Sequence, residues 1–424
     1  MEYKQNPSAS WTLWIPTVWM MKIASSDLAY WFGRADAEPG AGSPYERYLL
    51  IFLLCLGLIV LYRRRFDWYR AIKDNAWITL LIVYMFLSMF WSDEPLTSSF
   101  KRWVRELIAF IMVLAVLSET NPRNAVKSVL RRSVFVLIPL SLLLVIFFPE
   151  YGTETFGSFE AWVGVTTHKN GLGRLCFIAI FFLIWVSVNG RPVNDAQSSS
   201  RYQICANILV IIMALYLLKG PGIGKTISIT SVITLAVGLV SFFGFLLAWR
   251  FKRYLSLNTL RFVTAGIIVI GTASVFIGGL VVGGEIASSF GREETLTGRT
   301  QIWADLIPYV MREPIIGYGI DGFFTDTMKK SLGNLPHAHN GFLNIILDYG
   351  FVGLFLFSTF LLSLCGKAYK IFYYDYGWGS FLQCFLFMTV IYNVAEISLD
   401  SFTSHQMAVL IFLSASSLTN SEYT

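Results

Sequence analysis

The chain has 424 residues, 55% hydrophobic and 14% charged, with a mean hydropathy of +0.58. A soluble protein would carry about 25% charge, so a soluble fold is excluded and the bilayer is the main solvent of a polytopic chain. The net charge of +6 includes no basic run long enough for nucleic acid, and the five cysteines lie in or beside apolar segments without a CxxC pair, as small packing residues do.

Twelve apolar segments follow one another, near 11–24, 47–62, 76–91, 104–118, 132–148, 171–188, 203–218, 226–248, 262–284, 340–365, 380–396 and 403–418. A spanning helix needs roughly 20 apolar residues, so twelve leave no room for a large soluble domain. The start, MEYKQNPSASW, lacks the form of a cleaved signal peptide, because Pro16 and Lys22 interrupt the apolar stretch and no convincing cleavage site follows. Segment 11–24 is short and Trp-rich; it reads as spanning, interfacial or broken. Lys and Arg concentrate in loops 63–75, 119–132 and 249–261, with two each in 189–202 and 366–379. Alternating helices put all five on one face, which the positive-inside rule makes cytoplasmic.

The opposite face carries 25–46, 92–103, 149–170, 219–225, 397–402 and one long loop, 285–339. Within that loop Ile302-Trp303, Leu306-Ile307 and Tyr309-Val310 recur at helical spacing and predict a helix from about 299 to 312, ended near Pro314. IIGYGIDGFF reads as a glycine-rich turn, with a second helix over 322–332. The expected layout is membrane helices 1–9 over 1–284, a large and partly helical outer loop over 285–339, and helices 10–12 over 340–424. No internal repeat is visible.

Basic residues on the outer face run against the positive-inside bias: Lys101, Arg102, Arg105, Lys169, Lys219, Lys225, Arg292, Arg299 and Arg312. Some belong to solvated surface. As a cluster they suit a phosphate group, which arginine grips with two prongs and lysine attracts as a point charge. His339 stands where the long loop meets the next membrane helix. An imidazole there can take a proton from a hydroxyl near neutral pH; the other reading is a capping or structural histidine. His337 is expected to point elsewhere if the region is already helical.

Other features weigh less. KGPGIGKT (219–226) imitates a phosphate loop, but Lys219 stands where the first glycine belongs and the flanks are membrane segments. No His/Asp/Glu set has metal-ligand spacing, so no metal is expected. Glu396 and Asp400 flank the last outward turn, as cavity liners or as a solvated helix end. The tryptophans cluster at segment ends, as an interfacial belt does. Trp303 is the exception, either packing the loop helix or touching substrate.

GRTQIWADLIPYVMREPIIGYGIDGF (298–323) and HAHNGFLNIILDYGFVGL (337–354) resemble the signature region of the O-antigen ligase and polymerase superfamily. That signature is GR-x-x-x-W, then P-[IL]-[IL]-G-x-G, then H-N-x9-G-x-x-G at the end of a large periplasmic loop. SMFWSDEPLTSSFKRWVRE (88–106) and VTTHKNGLGR (165–174) resemble upstream segments of its exopolysaccharide-polymerase branch. The resemblance implies an all-α, GT-C-like membrane glycosyltransferase that inverts the anomeric centre without metal or cofactor. It implies an undecaprenyl-diphosphate-linked glycan donor, a glycan or lipid-linked acceptor, a chain-length regulator as a further partner, and an active site on the periplasmic side of the inner membrane. Polymerisation is preferred over ligation to a lipid A core or a protein. Position by position, His339 matches the proposed activator of the acceptor hydroxyl, with Asn340 beside it. Arg299 matches a diphosphate or sugar contact, and Lys169 and Asn170 match the HKN turn. Lys225 lies in a Gly-Lys-Thr turn where relatives carry a Ser-Arg-Thr-like one. Arg102 and Arg292 complete the proposed diphosphate-binding set.

Two rival readings stand beside this one. A lipid-linked oligosaccharide flippase would show repeats and charges near the midplane, and the sequence displays neither. A non-catalytic assembly partner would tolerate substitution of the outward basic residues.

Overall fold

The computed structural model describes residues 10–27, 30, 44–156, 159–189, 197–222, 227–251, 255–282 and 297–415. Apart from a 3-10 turn at Trp11–Leu13 and the short helices Trp68–Asp74 and Pro149–Gly152, its helices, labelled in chain order, are α1 (Trp14–Ile23), α2 (Pro44–Arg63), α3 (Ala76–Ser88), α4 (Leu96–Leu117), α5 (Pro122–Phe147), α6 (Lys169–Asn189), α7 (Gln197–Lys219), α8 (Ile229–Arg250), α9 (Leu257–Val282), α10 (Thr297–Arg312), α11 (Asp326–Ser331), α12 (Gly341–Phe372), α13 (Tyr376–Ala395) and α14 (His405–Ala415). Among the described residues, seven helices are long and apolar enough to cross a membrane, and three shorter ones are apolar. Each of the twelve expected segments falls on a helix. The two outside those classes are α1, with 10 residues, and α4, whose first half carries Lys101, Arg102, Arg105 and Glu106. One feature was not foreseen: β1 (Thr153–Phe156) and β2 (Phe159–Trp162) pair antiparallel in the outward loop before α6.

Segment 11–24 lies beside α2 and is tied to it near both ends. At one end Arg64 donates to Thr12 Oγ1 and to Glu119 Oε1, and at the other Lys22 contacts the Glu46 carboxylate. Ion pairs also join separate loops. Arg64–Glu119 and Arg123–Asp375 link loops expected on one face, while Arg102–Asp321 and Arg299–Glu396 link elements expected on the other.

The core is aromatic where α6 meets α13. Trp185 stacks on Phe381 at 4.3 Å, and Phe181 stacks on the same ring at 5.7 Å. A smaller core belongs to the long loop: Trp303, Leu306 and Val310 of α10 meet Phe323, Ala338 and the first turns of α12 at Leu343 and Leu347. The helix expected over 299–312 is α10, as the spacing of its apolar face requires. The second loop helix is shorter than expected. Gly322 still bonds back to Gly319, and α11 starts only after Thr325, whose hydroxyl accepts the Met328 N–H.

α12 is broken at Gly350, with φ 64° and ψ −168°. Helix bonds lost there are replaced by the glycine-rich turn. Phe351 N–H reaches Pro314 O at 2.8 Å, Val352 N–H reaches Ile315 O at 3.1 Å, and Leu347 O and Asp348 O accept from Tyr318 and Gly319. An unpaired peptide group in an apolar interior costs several kcal/mol, so turn and break stabilise each other. Residues 341–350 are buried throughout. Two acids lie buried within the apolar segments, Asp348 of α12 at 2% exposed and Glu106 of α4 at 7% exposed.

Candidate functional site

The site gathers where the starts of α6, α10 and α12 meet the end of α13. α13 stops at Ala395 because Glu396 turns to extended backbone while its N–H still bonds Tyr392 O. Asn393 then ties down the turn. Its Oδ1 accepts the N–H groups of Ser398 and Leu399, and its amide donates to Ser398 Oγ. Glu396 is thereby directed inward and is 4% exposed. It is not a solvated helix end.

Glu396 is the hub. Its Oε1 accepts from Arg299 Nη2 and from Asn170 Nδ2, each at 2.6 Å, distances typical of charge-assisted bonds. Its Oε2 lies 3.8 Å from His339 Nδ1, longer than a hydrogen bond, and that buried nitrogen has no hydrogen-bond partner among the described residues. Burial alone would raise the Glu396 carboxyl, but His339 and Arg299 outweigh it and hold the group below the ordinary carboxylate range. Three expected residues, His339, Arg299 and Asn170 of the HKN turn, therefore meet on one carboxylate that the motifs did not include. The signal for it was an acid at the edge of an apolar C-terminal segment.

His339 has φ 51°, a left-handed conformation uncommon outside glycine. The backbone at 337–339 is not helical, so His337 does not turn away as expected. The two rings meet at 4.2 Å between centroids, and His337 Nδ1 accepts the His339 N–H at 3.3 Å. Burial, together with the neighbouring His339, lowers the His337 pKa to about 3, which leaves this ring neutral. The His339 side chain is 27% exposed, so the site is open on that side.

The other expected contacts divide. Lys169 begins α6 beside Asn170 and feels the fields of Glu396 and Arg299. Asn340 is corrected: it is 0% exposed and serves as the N-cap of α12, its Oδ1 accepting from Phe342 and Leu343 while its amide donates to Val394 O. It leaves no surface for substrate. Arg102 stands apart from the Glu396 cluster. Its guanidinium donates to Asp321 O at 2.8 Å and pairs with the Asp321 and Glu94 carboxylates, so it fastens the WSDEP segment to the glycine-rich turn, with 23% of the side chain still exposed. Trp303 packs, donating to Ala338 O at 2.9 Å from a 5% exposed position. Lys225 and Arg292 lie outside the described residues.

A buried carboxylate, an imidazole with one nitrogen toward it and an arginine sharing the same acid can together move a proton and offset negative charge. Among the described residues no group of three or more His, Cys, Asp and Glu is arranged to hold a metal ion.

Comparison with known proteins accords with the motifs. Residues 225–358 match the family model described as O-antigen ligase. That stretch holds Arg299, His339 and the glycines at 317, 319, 350 and 353, whereas Asn170 and Glu396 lie outside it. The chain is 23% identical over 358 residues to the exopolysaccharide production protein ExoQ of Rhizobium meliloti (strain 1021), covering 77% of each chain. It is 24% identical over 318 residues to a protein of Rickettsia typhi named as a polysaccharide ligase, covering 71% of this chain and 70% of that one. The resemblance to the O-antigen ligase and polymerase superfamily is borne out.

Proposed function

We propose that this protein joins glycans at the outer face of the inner membrane, transferring an oligosaccharide from an undecaprenyl-diphosphate carrier to the hydroxyl of a second glycan. The observation that carries the reading is the meeting of His339, Arg299 and Asn170 on Glu396 at the mouth of α12. His339 takes the acceptor proton on Nε2 as the acceptor oxygen attacks the anomeric carbon. The bond from that carbon to the diphosphate breaks, and the leaving group carries away the electron pair. The imidazolium formed has Glu396 on its Nδ1 side, 3.8 Å away before substrate arrives; catalytic contacts often tighten only in the substrate complex. Arg299, with Lys169 nearby, offsets the charge growing on the diphosphate.

Polymerisation is the preferred form, supported by the upstream segments and by the named exopolysaccharide relative. Ligation onto a lipid A core or a protein is the alternative. The broken helix α12 with buried Asp348 favours a reading of another class, movement of a lipid-linked oligosaccharide across the membrane, since interrupted helices and intramembrane acids mark transport pathways.

One experiment separates these readings. Purified protein and its His339→Ala variant are given synthetic polyprenyl-diphosphate oligosaccharides in detergent, with EDTA. A ladder of longer lipid-linked chains from wild type alone supports a metal-independent polymerase. Product only after a lipid A core or protein acceptor is added supports a ligase. No product with any acceptor, together with transbilayer movement of the donor in vesicles that Asp348→Asn abolishes, favours transport.

A further inference from the structure

Ala338 is held from both sides. Its carbonyl accepts the indole N–H of Trp303 at 2.9 Å, its own N–H donates to Asn344 Oδ1 at 3.2 Å, and the residue is wholly buried. The two histidines that flank it therefore project from a clamped pair of peptides, one tied to α10 and one to α12. His339 precedes the first turn of α12 and its N–H finds no partner in the helix. His337 Nδ1 supplies that partner at 3.3 Å, and the rings pack edge to face at 64°. An accepting Nδ1 carries no proton, so the neutral ring holds its hydrogen on Nε2. The left-handed φ of 51° at His339 is unfavourable for a side chain with a Cβ, and something must hold it.

We infer that His337 is the positioning residue for His339: its Nδ1 captures the His339 N–H and so fixes the backbone from which Nδ1 of His339 faces Glu396. His337 acts through His339 and does not itself meet the reacting atoms. The catalytic consequence rests on the reading of His339 given above, whereas the positioning does not.

Asparagine and glutamine separate this role from bulk or polarity. An Asn at 337 puts its side-chain oxygen close to the place of Nδ1. A Gln extends its amide toward the place of Nε2 and misses the His339 N–H. The full-length variants His337→Asn, His337→Gln and His337→Ala are purified, and their melting temperatures compared with wild type. Two readouts follow. The first is the rate at which diethyl pyrocarbonate modifies His339, resolved by peptide mass spectrometry. The second is kcat and donor KM for glycan elongation.

The expected result is that His337→Asn matches wild type in both. His337→Gln and His337→Ala change the modification rate of His339 and lower kcat by roughly tenfold to a hundredfold at unchanged donor KM, the scale of a misplaced catalytic group. A His337→Gln protein that behaves as wild type overturns the inference. So does a folded His337→Asn protein that fails as His337→Ala does. If modification follows the expected order while His339→Ala keeps full activity, the positioning role stands and the catalytic reading of His339 falls.

Discussion

The N–H of Phe351 donates to the carbonyl of Pro314 at 2.8 Å, joining the start of the glycine-rich turn to the break in α12. The same knot takes in a third segment. Trp91 donates to Ile316 O, Ser92 to Ile320 O, Asp93 N–H to Tyr318 O, and Tyr84 OH to Tyr349 O. Three stretches that look like separate signatures in the sequence are one structure. It holds the buried first turns of α12 in place, and with them the backbone that carries His339.

Gly350→Ala tests that knot. A Cβ there would stand 2.2 Å from Ile315 O, a backbone atom that cannot move aside, and the conformation is one that only glycine populates readily. The variant is expected to lose more than about 3 kcal/mol, seen as low protein level and early unfolding in detergent. Gly266→Ala in α9 is the control. Nothing lies within 4 Å of its added Cβ, so the change is expected to be neutral or to stabilise by up to about 1 kcal/mol. Equal behaviour of the two variants would mean the break at 350 is not required.

Much of this was legible in the sequence, for identifiable reasons. Apolar runs mark the membrane helices because lipid tolerates little else, and the period of Trp303, Leu306 and Val310 marks α10 because one face of it is buried. His339 and Arg299 stood out because their residue types carry chemistry, and the structure places both beside Glu396. Glu396 was named but could not be assigned, since an acid at a helix end is solvated in most proteins and only the Asn393-held turn directs this one inward. Asn340 misled for the opposite reason. It neighbours the histidine in sequence, yet the start of α12 needs a cap and Asn supplies it. The break at Gly350 was hidden because its cause, the turn at 314–319, lies far away along the chain.

Arg299 and Glu396 should be separable by a double variant. Arg299→Ala leaves the buried Glu396 carboxylate without its guanidinium, with Asn170 bonded to Oε1 and His339 at 3.8 Å from Oε2. The expected loss is about 1–3 kcal/mol, less than for a fully enclosed pair because the Arg299 side chain keeps 21% exposure. Adding Glu396→Gln removes the stranded charge and should restore most of the stability. Elongation should stay lost in both proteins, because the diphosphate has no guanidinium to meet. Recovery of activity in the double variant would remove Arg299 from the donor site.

Glu396→Gln alone keeps an acceptor oxygen for Arg299 and Asn170 but gives His339 no counter-charge. Elongation is expected to fall by roughly tenfold to a hundredfold with the fold intact. The acid side can be read as well. The folded carboxyl titrates below its unfolded value of about 4.3. Its stabilisation is therefore present above that pH and is lost only as pH falls through the folded pKa. Wild type and Glu396→Gln should differ by a constant stability from pH 5 to 8 and converge only as pH falls past the unfolded value toward the lower folded one. A difference that varies between pH 5 and 8 would assign the titration to another group.

Asp400 should behave in the opposite sense. Burial, and then repulsion from Asp321, push its carboxyl up to about 6, while Asn344 donates to its Oδ2 at 3.1 Å. The unfolded chain gives up this proton near pH 3.9. Between that pH and about 6 the folded protein binds more protons than the unfolded one, so stability falls as pH rises through the window and stays lower above it. Asp400→Asn removes the charge and keeps an oxygen for the Asn344 amide. It is expected to stabilise the protein at pH 7.5 by about 1–2 kcal/mol, discounted from the full shift because Asp400 is only part-buried. It should also flatten the stability curve between pH 4 and 6. Denaturant unfolding of both proteins at pH 4.5, 6 and 7.5 measures this directly. A variant less stable than wild type at pH 7.5 would show that a cation holds Asp400 ionised, and would make this acid part of the charged site rather than a strained neighbour of it.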